Sequence, residues 1–177
     1  MLDVVFVIAP QTFRDEEYLE PKRVLESRGA RTSTASVTPG ECIGKLGTHA
    51  YADISVTEAG NRDWDAVVFV GGAGASVYFD DPAAHALARR AAAGPGVLAA
   101  ICIAPSTLAH AGLLGGVRAT AFPSQVDDLR AHGATWTGEP VTVDGRIVTA
   151  NGPEAASAFG EAIGDLLGLT PSAARGD

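Results

Sequence analysis

Val97-Leu98-Ala99-Ala100-Ile101-Cys102-Ile103-Ala104-Pro105 decides how this chain is read. Five apolar residues follow the break Gly94-Pro95-Gly96 and predict a strand buried on both faces. Pro105 suits the first turn of a helix, where its missing N–H leaves no bond unmade. Cys102 therefore stands between a central strand and a helix start. A sharp turn at such a point lifts a side chain clear of the sheet, the arrangement of a nucleophile elbow. A thiol placed there faces unpaired N–H groups and the positive end of the helix dipole, which favour the thiolate. Ala100 and Ala104 are small enough for neighbouring backbone to pack closely. The alternative is a buried core cysteine, the commoner fate of this residue.

Outward from the elbow, strand and helix patterns alternate. Val4 to Ala9 is a near-continuous apolar run, and Ala66 to Val70 is another, ending at Gly71-Gly72. Tyr18, Leu19, Val24 and Leu25 fall at helical offsets within Asp15 to Arg28, with Gly29 as the cap and a strand over 30–37. Asp81-Pro82 opens a helix to about Ala93, with Asp81 as N-cap. A helix over 105–112 follows the elbow. Val141 to Val148 reads as a hairpin with Asp144-Gly145 at a type I′ turn, and Pro153 opens a last helix to about Leu167. Such alternation predicts parallel βαβ units in one sheet covered on both faces. One domain over 1–169 is expected, followed by a small polar tail over 170–177.

Ligands in such sheets sit beyond the carboxyl ends of the strands. Gly71-Gly72, Cys102 and the turn after Pro10 all fall there. The N–H groups of the glycine pair and of Ile103 are candidates to hold a developing oxyanion; the alternative is a glycine turn that only lets strand pass to helix. Cys42, after Pro39-Gly40-Glu41, reads as a minor structural thiol in a loop.

Composition narrows the function classes. The chain has 177 residues, 46% hydrophobic and 19% charged, with a formal net charge of −8. Its 13 Lys and Arg lie singly or in pairs, which argues against a nucleic-acid partner. No apolar run is long enough for a membrane, and Met1-Leu2-Asp3 lacks the basic start of a secretory leader. Two cysteines are too few for a disulfide framework and lack metal-ligand spacing, so a cytoplasmic setting without metal or other cofactor is expected.

Ala100-Ile101-Cys102-Ile103-Ala104-Pro105 resembles the A-I-C-x-G-P elbow of the ThiJ/PfpI superfamily, whose fold is flavodoxin-like, a three-layer α/β sandwich with a mostly parallel sheet. Phe13 to Pro21 resembles that family's F-x-D-x-E-x-x-x-P segment. Asp63 to Gly72 resembles its strand ending in P-G-G, with Val70 in place of proline. The superfamily includes protein deglycases, intracellular proteases, chaperone-like proteins and cysteine hydratases.

By the resemblance, Glu17 is the glutamate that hydrogen-bonds the elbow thiol; from the residues alone it could equally be a solvated charge among Asp15, Glu16 and Glu20. The protease-like branch keeps a histidine after the cysteine, where this chain has Ile103. The deglycase branch keeps one where this chain has Phe122, and Asn151 replaces an arginine. His49, His85, His110 and His132 match neither position and read as surface or structural residues. Asp127-Asp128 resembles an acidic pair of the protease-like branch or is a solvated helix start. The resemblance therefore implies glyoxalase-, deglycase- or hydratase-like chemistry on small electrophiles rather than proteolysis, or else a redox-responsive stress protein. It also implies a homodimer or higher homo-oligomer.

Overall fold

The computed structural model describes residues 1–171; residues 172–177 of the expected tail lie outside them. In chain order the elements are β1 (Asp3–Val7), β2 (Gln11–Phe13), α1 (Asp15–Ser27), β3 (Arg31–Ser36), β4 (Gly40–Gly44), β5 (His49–Ala52), β6 (Ile54–Ser55) and α2 (Val56–Ala59). There follow β7 (Ala66–Phe69), α3 (Pro82–Ala93), β8 (Val97–Ile101), α4 (Pro105–His110), β9 (Arg118–Ala119), α5 (Val126–Ala131), β10 (Thr135–Trp136), β11 (Val141–Asp144), β12 (Ile147–Ala150) and α6 (Ala156–Leu166).

Seven strands form the main sheet in the order β11-β12-β8-β7-β1-β3-β6. All its pairings are parallel except β11 with β12. From β3 through β12 this is the flavodoxin-like strand order. Side chains alternate between two cores, as the pleat requires. Val4, Phe6, Val68, Ala99 and Ile101 pack with Leu25 of α1 and with Phe159 and Ile163 of α6. Val5, Val7, Val67, Leu98 and Ala100 pack on the other face with Val56, Leu87 and Leu108 of α2, α3 and α4. Because β1, β7 and β8 lie between two such layers, their sequences are continuous apolar runs rather than alternating ones.

Three local readings need correction. The stretch around Cys42 is not a loop: β4 and β5 pair antiparallel, and β4 joins β2 in a second, three-stranded sheet. Cys42 lies inside β4, 1% exposed, with Ala50 and Ala52 on the same buried side, because Glu41 and Tyr51 alternate outward. The hairpin turn sits one residue later than Asp-Gly suggests. Asp144 still pairs with Ile147, and Gly145, at φ 58°, is the first central residue. Arg146 is not at positive φ, which is the type II′ pattern rather than I′. The helix after the elbow ends at His110, and Gly112 at φ +81° completes its exit.

Candidate active site at the cysteine elbow

Cys102 takes φ 64°, and Thr12 at 55° is the only other non-glycine residue at positive φ among those described. A side chain in this left-handed region costs on the order of 1–3 kcal/mol and persists only where its surroundings impose it. At Cys102 both peptide groups are held: its N–H donates to the Ala150 carbonyl at the end of β12 (2.9 Å), and its carbonyl accepts from Phe122 N–H (2.8 Å). The turn closes with Ala104 N–H on the Ile101 carbonyl (3.1 Å). The strand-to-helix switch thus aims the thiol past the sheet edge, and Cys102 is 9% exposed.

Glu17 reaches the same point from the first turn of α1 and is wholly buried. Pro21 lies inside that helix and has no N–H to give the Glu17 carbonyl four residues earlier. Gly71 shows how close the groups are. A Cβ there would sit 2.5 Å from Cys102 Cβ, 2.6 Å from Glu17 Oε1 and 2.7 Å from the Ile101 carbonyl. Only glycine fits.

Neither Glu17 carboxyl oxygen has a hydrogen-bond partner of ordinary geometry; the Cys102 thiol and the Gly71 N–H are the polar groups beside it. Asp15, two residues earlier and also buried, is the contrast. Its oxygens accept from the N–H groups of Leu46 (2.8 Å) and Thr48 (2.9 Å). Burial raises the Asp15 carboxyl, but these donors outweigh it and hold it below the usual range. With no such donors satisfied, burial pushes Glu17 up to about 8. Glu17 is therefore a neutral acid at pH 7, and its full burial rules out the alternative of a solvated charge.

Burial, and then charge on Glu17, push the Cys102 thiol up to about 12; the N–H groups of Gly72 and Ile103 pull the other way. The thiolate expected from the helix dipole alone is overruled, since a six-residue α4 offers less than burial and a neighbouring carboxylate remove. The two groups act as a pair. The first proton to leave puts one charge on a carboxyl and a sulfur that share it.

The expected oxyanion donors divide between these two groups. Gly72 and Ile103 face the sulfur, whereas Gly71 faces the carboxyl. Gly72, at φ +97°, also lets the chain pass 2.4 Å from a Cβ position to Arg14 N and 2.5 Å to the Thr12 carbonyl. A cleft of about 500 Å³ opens over the thiol. Arg14 and Lys45 supply positive charge to its wall, Phe122 an exposed aromatic face, and Ser124 and Glu154 polar groups. None of the residues lining it is a histidine. Another cleft, about 350 Å³, lies at the opposite end of the sheet among Asp3, Arg62 and Trp64 and holds none of the expected site residues. Thr12, Arg14 and Lys45 carry no motif in the sequence: Thr12 belongs to the stretch after Pro10 expected at this end of the sheet, Arg14 caps α1, and Lys45 comes from the β4–β5 turn, which leaves no local signal.

Residues 3–165 match the DJ-1/PfpI family. The chain belongs to that family. An uncharacterized protein from Methanocaldococcus jannaschii is 38% identical over 160 residues, covering 89% of this chain and 78% of that protein. A protein named as a deglycase from Pyrococcus abyssi is 31% identical, over 84% of this chain and 90% of its own. Among solved structures, a ThiJ/PfpI domain protein from Brachyspira murdochii superimposes with a TM-score of 0.90 at 33% identity, covering 95% and 97% of the two chains. No helix among the described residues is long and apolar enough to cross a membrane.

Proposed function

We propose that this chain is a cysteine-dependent enzyme acting on small carbonyl electrophiles, with the deglycase- or glyoxalase-like chemistry suggested by relatives named as deglycases. One observation carries the reading: a thiol and a neutral carboxyl, buried together without a histidine, open onto a 500 Å³ cleft. Amide hydrolysis needs a base that takes the thiol proton and hands it to a departing amine, the role of the histidine this cleft lacks. Addition to an aldehyde has no leaving group to protonate. Proteolysis is therefore the poorer fit.

For a 2-oxoaldehyde the steps balance without an external oxidant. The pair first gives up one proton to water, leaving the charge on sulfur and the remaining proton on Glu17. The sulfur then adds to the aldehyde carbon, a C–S bond forms, the C=O π bond breaks, and the Glu17 proton passes to the oxygen. Gly72 and Ile103 N–H groups stabilise charge developing beside the sulfur. Glu17, now ionised, removes the proton from the former aldehyde carbon and returns one at the adjacent carbon, while the hydroxyl proton moves to the neighbouring ketone oxygen. This turns the hemithioacetal into the thioester of a 2-hydroxy acid. Water then cleaves the C–S bond, releasing a 2-hydroxy acid and restoring the thiol.

Incubation with methylglyoxal should yield lactate, and Cys102→Ser should abolish it; equal rates in both would end this reading. A redox-sensing role is the second reading, favoured by a sulfur that lines the cleft and faces two N–H groups, which would also hold a sulfinate. Graded peroxide followed by intact mass should then oxidise Cys102 before Cys42, and equal oxidation of the two argues against it. A homodimer or larger homo-oligomer is part of the proposal, and light scattering showing a monomer would remove it.

A further inference from the structure

A second group of reactive side chains lies at the far end of α4. His110 is the last residue of α4, while Asp128 and His132 stand four apart on α5 and its cap. One nitrogen of each imidazole and one oxygen of Asp128 all lie within 4.8 Å of one another. His110 Nε2 is 2.9 Å from both Asp128 carboxylate oxygens. His132 Nδ1 is 3.5 Å from Asp128 Oδ1. The two rings stack at 4.6 Å between centroids, and Phe79 backs His110 at 5.8 Å.

We propose that His110, Asp128 and His132 form a zinc site. A neutral imidazole has one N–H, yet His110 faces two carboxylates, Asp80 at Nδ1 (2.7 Å) and Asp128 at Nε2. That proton satisfies one contact; the other carboxylate is met by a second proton on the ring or, in its place, by a metal ion. With the proton on Nδ1, Asp80 acts as the outer carboxylate that orients a ligating histidine. The Nε2 lone pair and Asp128 then point at one place.

The spacing suits the metal. Zinc bonds of about 2.0–2.1 Å in a tetrahedron give ligand-to-ligand edges of about 3.3–3.4 Å. The observed separations of 2.9 and 3.5 Å straddle that value. Two nitrogens and one oxygen leave the fourth position to water, the donor set of an open zinc site. Binding through His132 Nδ1 gives up that ring's present hydrogen bond to the Asp128 carbonyl, 2.8 Å away. Burial limits the cost of the change: His110 and Asp128 are half-buried, whereas His132 is exposed and free to turn.

The test is a titration of the whole chain with zinc alone by calorimetry, and with cobalt as a spectroscopic substitute. Cys102→Ser is the background, so that the elbow thiol contributes nothing. One zinc per chain should bind, with intense visible cobalt bands and no thiolate charge-transfer band. Asp128→Asn and His132→Ala should each weaken binding by roughly 10-fold or more, and Asp80→Asn by roughly 10-fold. Unchanged circular dichroism in each variant secures the fold. No binding at millimolar zinc, undiminished binding in both ligand variants, or loss of binding on Cys102→Ser would each overturn the proposal. The last result would place the metal at the elbow instead.

Discussion

The two ends of α4 set a proton-bearing group against carboxylates in opposite ways. At its start Cys102 meets Glu17 in a buried pocket; at its end His110 sits between Asp80 and Asp128 near solvent. Inside, no well-aligned donor reaches Glu17 and the Arg14 charge is too weak to offset burial, so the proton stays on the carboxyl. Outside, burial still opposes charge on His110, but the two carboxylates outweigh it and raise the imidazole. The same pair of chemistries thus gives a neutral couple where water is excluded, and a cation-demanding cluster where carboxylates remain ionised. The difference lies in solvent and donors rather than in residue type, as Asp15 and Glu17 show within one helical turn.

The sharpest way to break this contrast is at the sulfur. Cys102→Ser should lower methylglyoxal turnover by on the order of 10³-fold, since a hydroxyl is a far weaker nucleophile. Measured lactate within tenfold of wild type would remove the thiol from the account. Glu17→Gln keeps the shape but cannot pass a proton, and should cost about 10²-fold in kcat, with the pH rise of kcat/KM near 8 abolished.

Stability follows with its own sign. Glu17 titrates near 4.5 when unfolded and is raised to about 8 in the fold. Its contribution is thus complete below 4.5 and is lost as pH climbs through 8. Urea unfolding should show wild type weakening by on the order of 4 kcal/mol between pH 4.5 and 9, more than Glu17→Gln does. Parallel curves would mean the carboxyl is ionised in the fold.

Gly71→Ala should cost about 2 kcal/mol, because its methyl would meet Cys102 and Glu17 inside 2.7 Å, and should slow turnover by misplacing both. The smallest effect belongs to Cys42→Ala, away from the cleft. Turnover should stay at the wild-type level while stability drops by about 1 kcal/mol.

Much of this was readable from the chain. The apolar runs of β1, β7 and β8 announce burial on both faces, and Pro105 after Cys102 announces the elbow, because both signals are local. The small sheet of β2, β4 and β5 was not, since its strands are only three to five residues long and β4 begins and ends at glycine. Glu17 is surrounded in sequence by charges; only the register of α1 against Gly71 shows that it alone turns inward unpaired. The His110 cluster eluded spacing arguments because its parts come from two helices. Asp128 and His132 at i, i+4 were the one legible trace.

The central claim is that Glu17 keeps its proton at pH 7 and stands neutral beside the Cys102 thiol. The direct measurement is a carbon NMR titration of the Glu17 carboxyl, assigned by its absence in Glu17→Gln. A midpoint near 8, with little change between pH 4 and 6, is the predicted result; a midpoint at the ordinary 4.5 would contradict it.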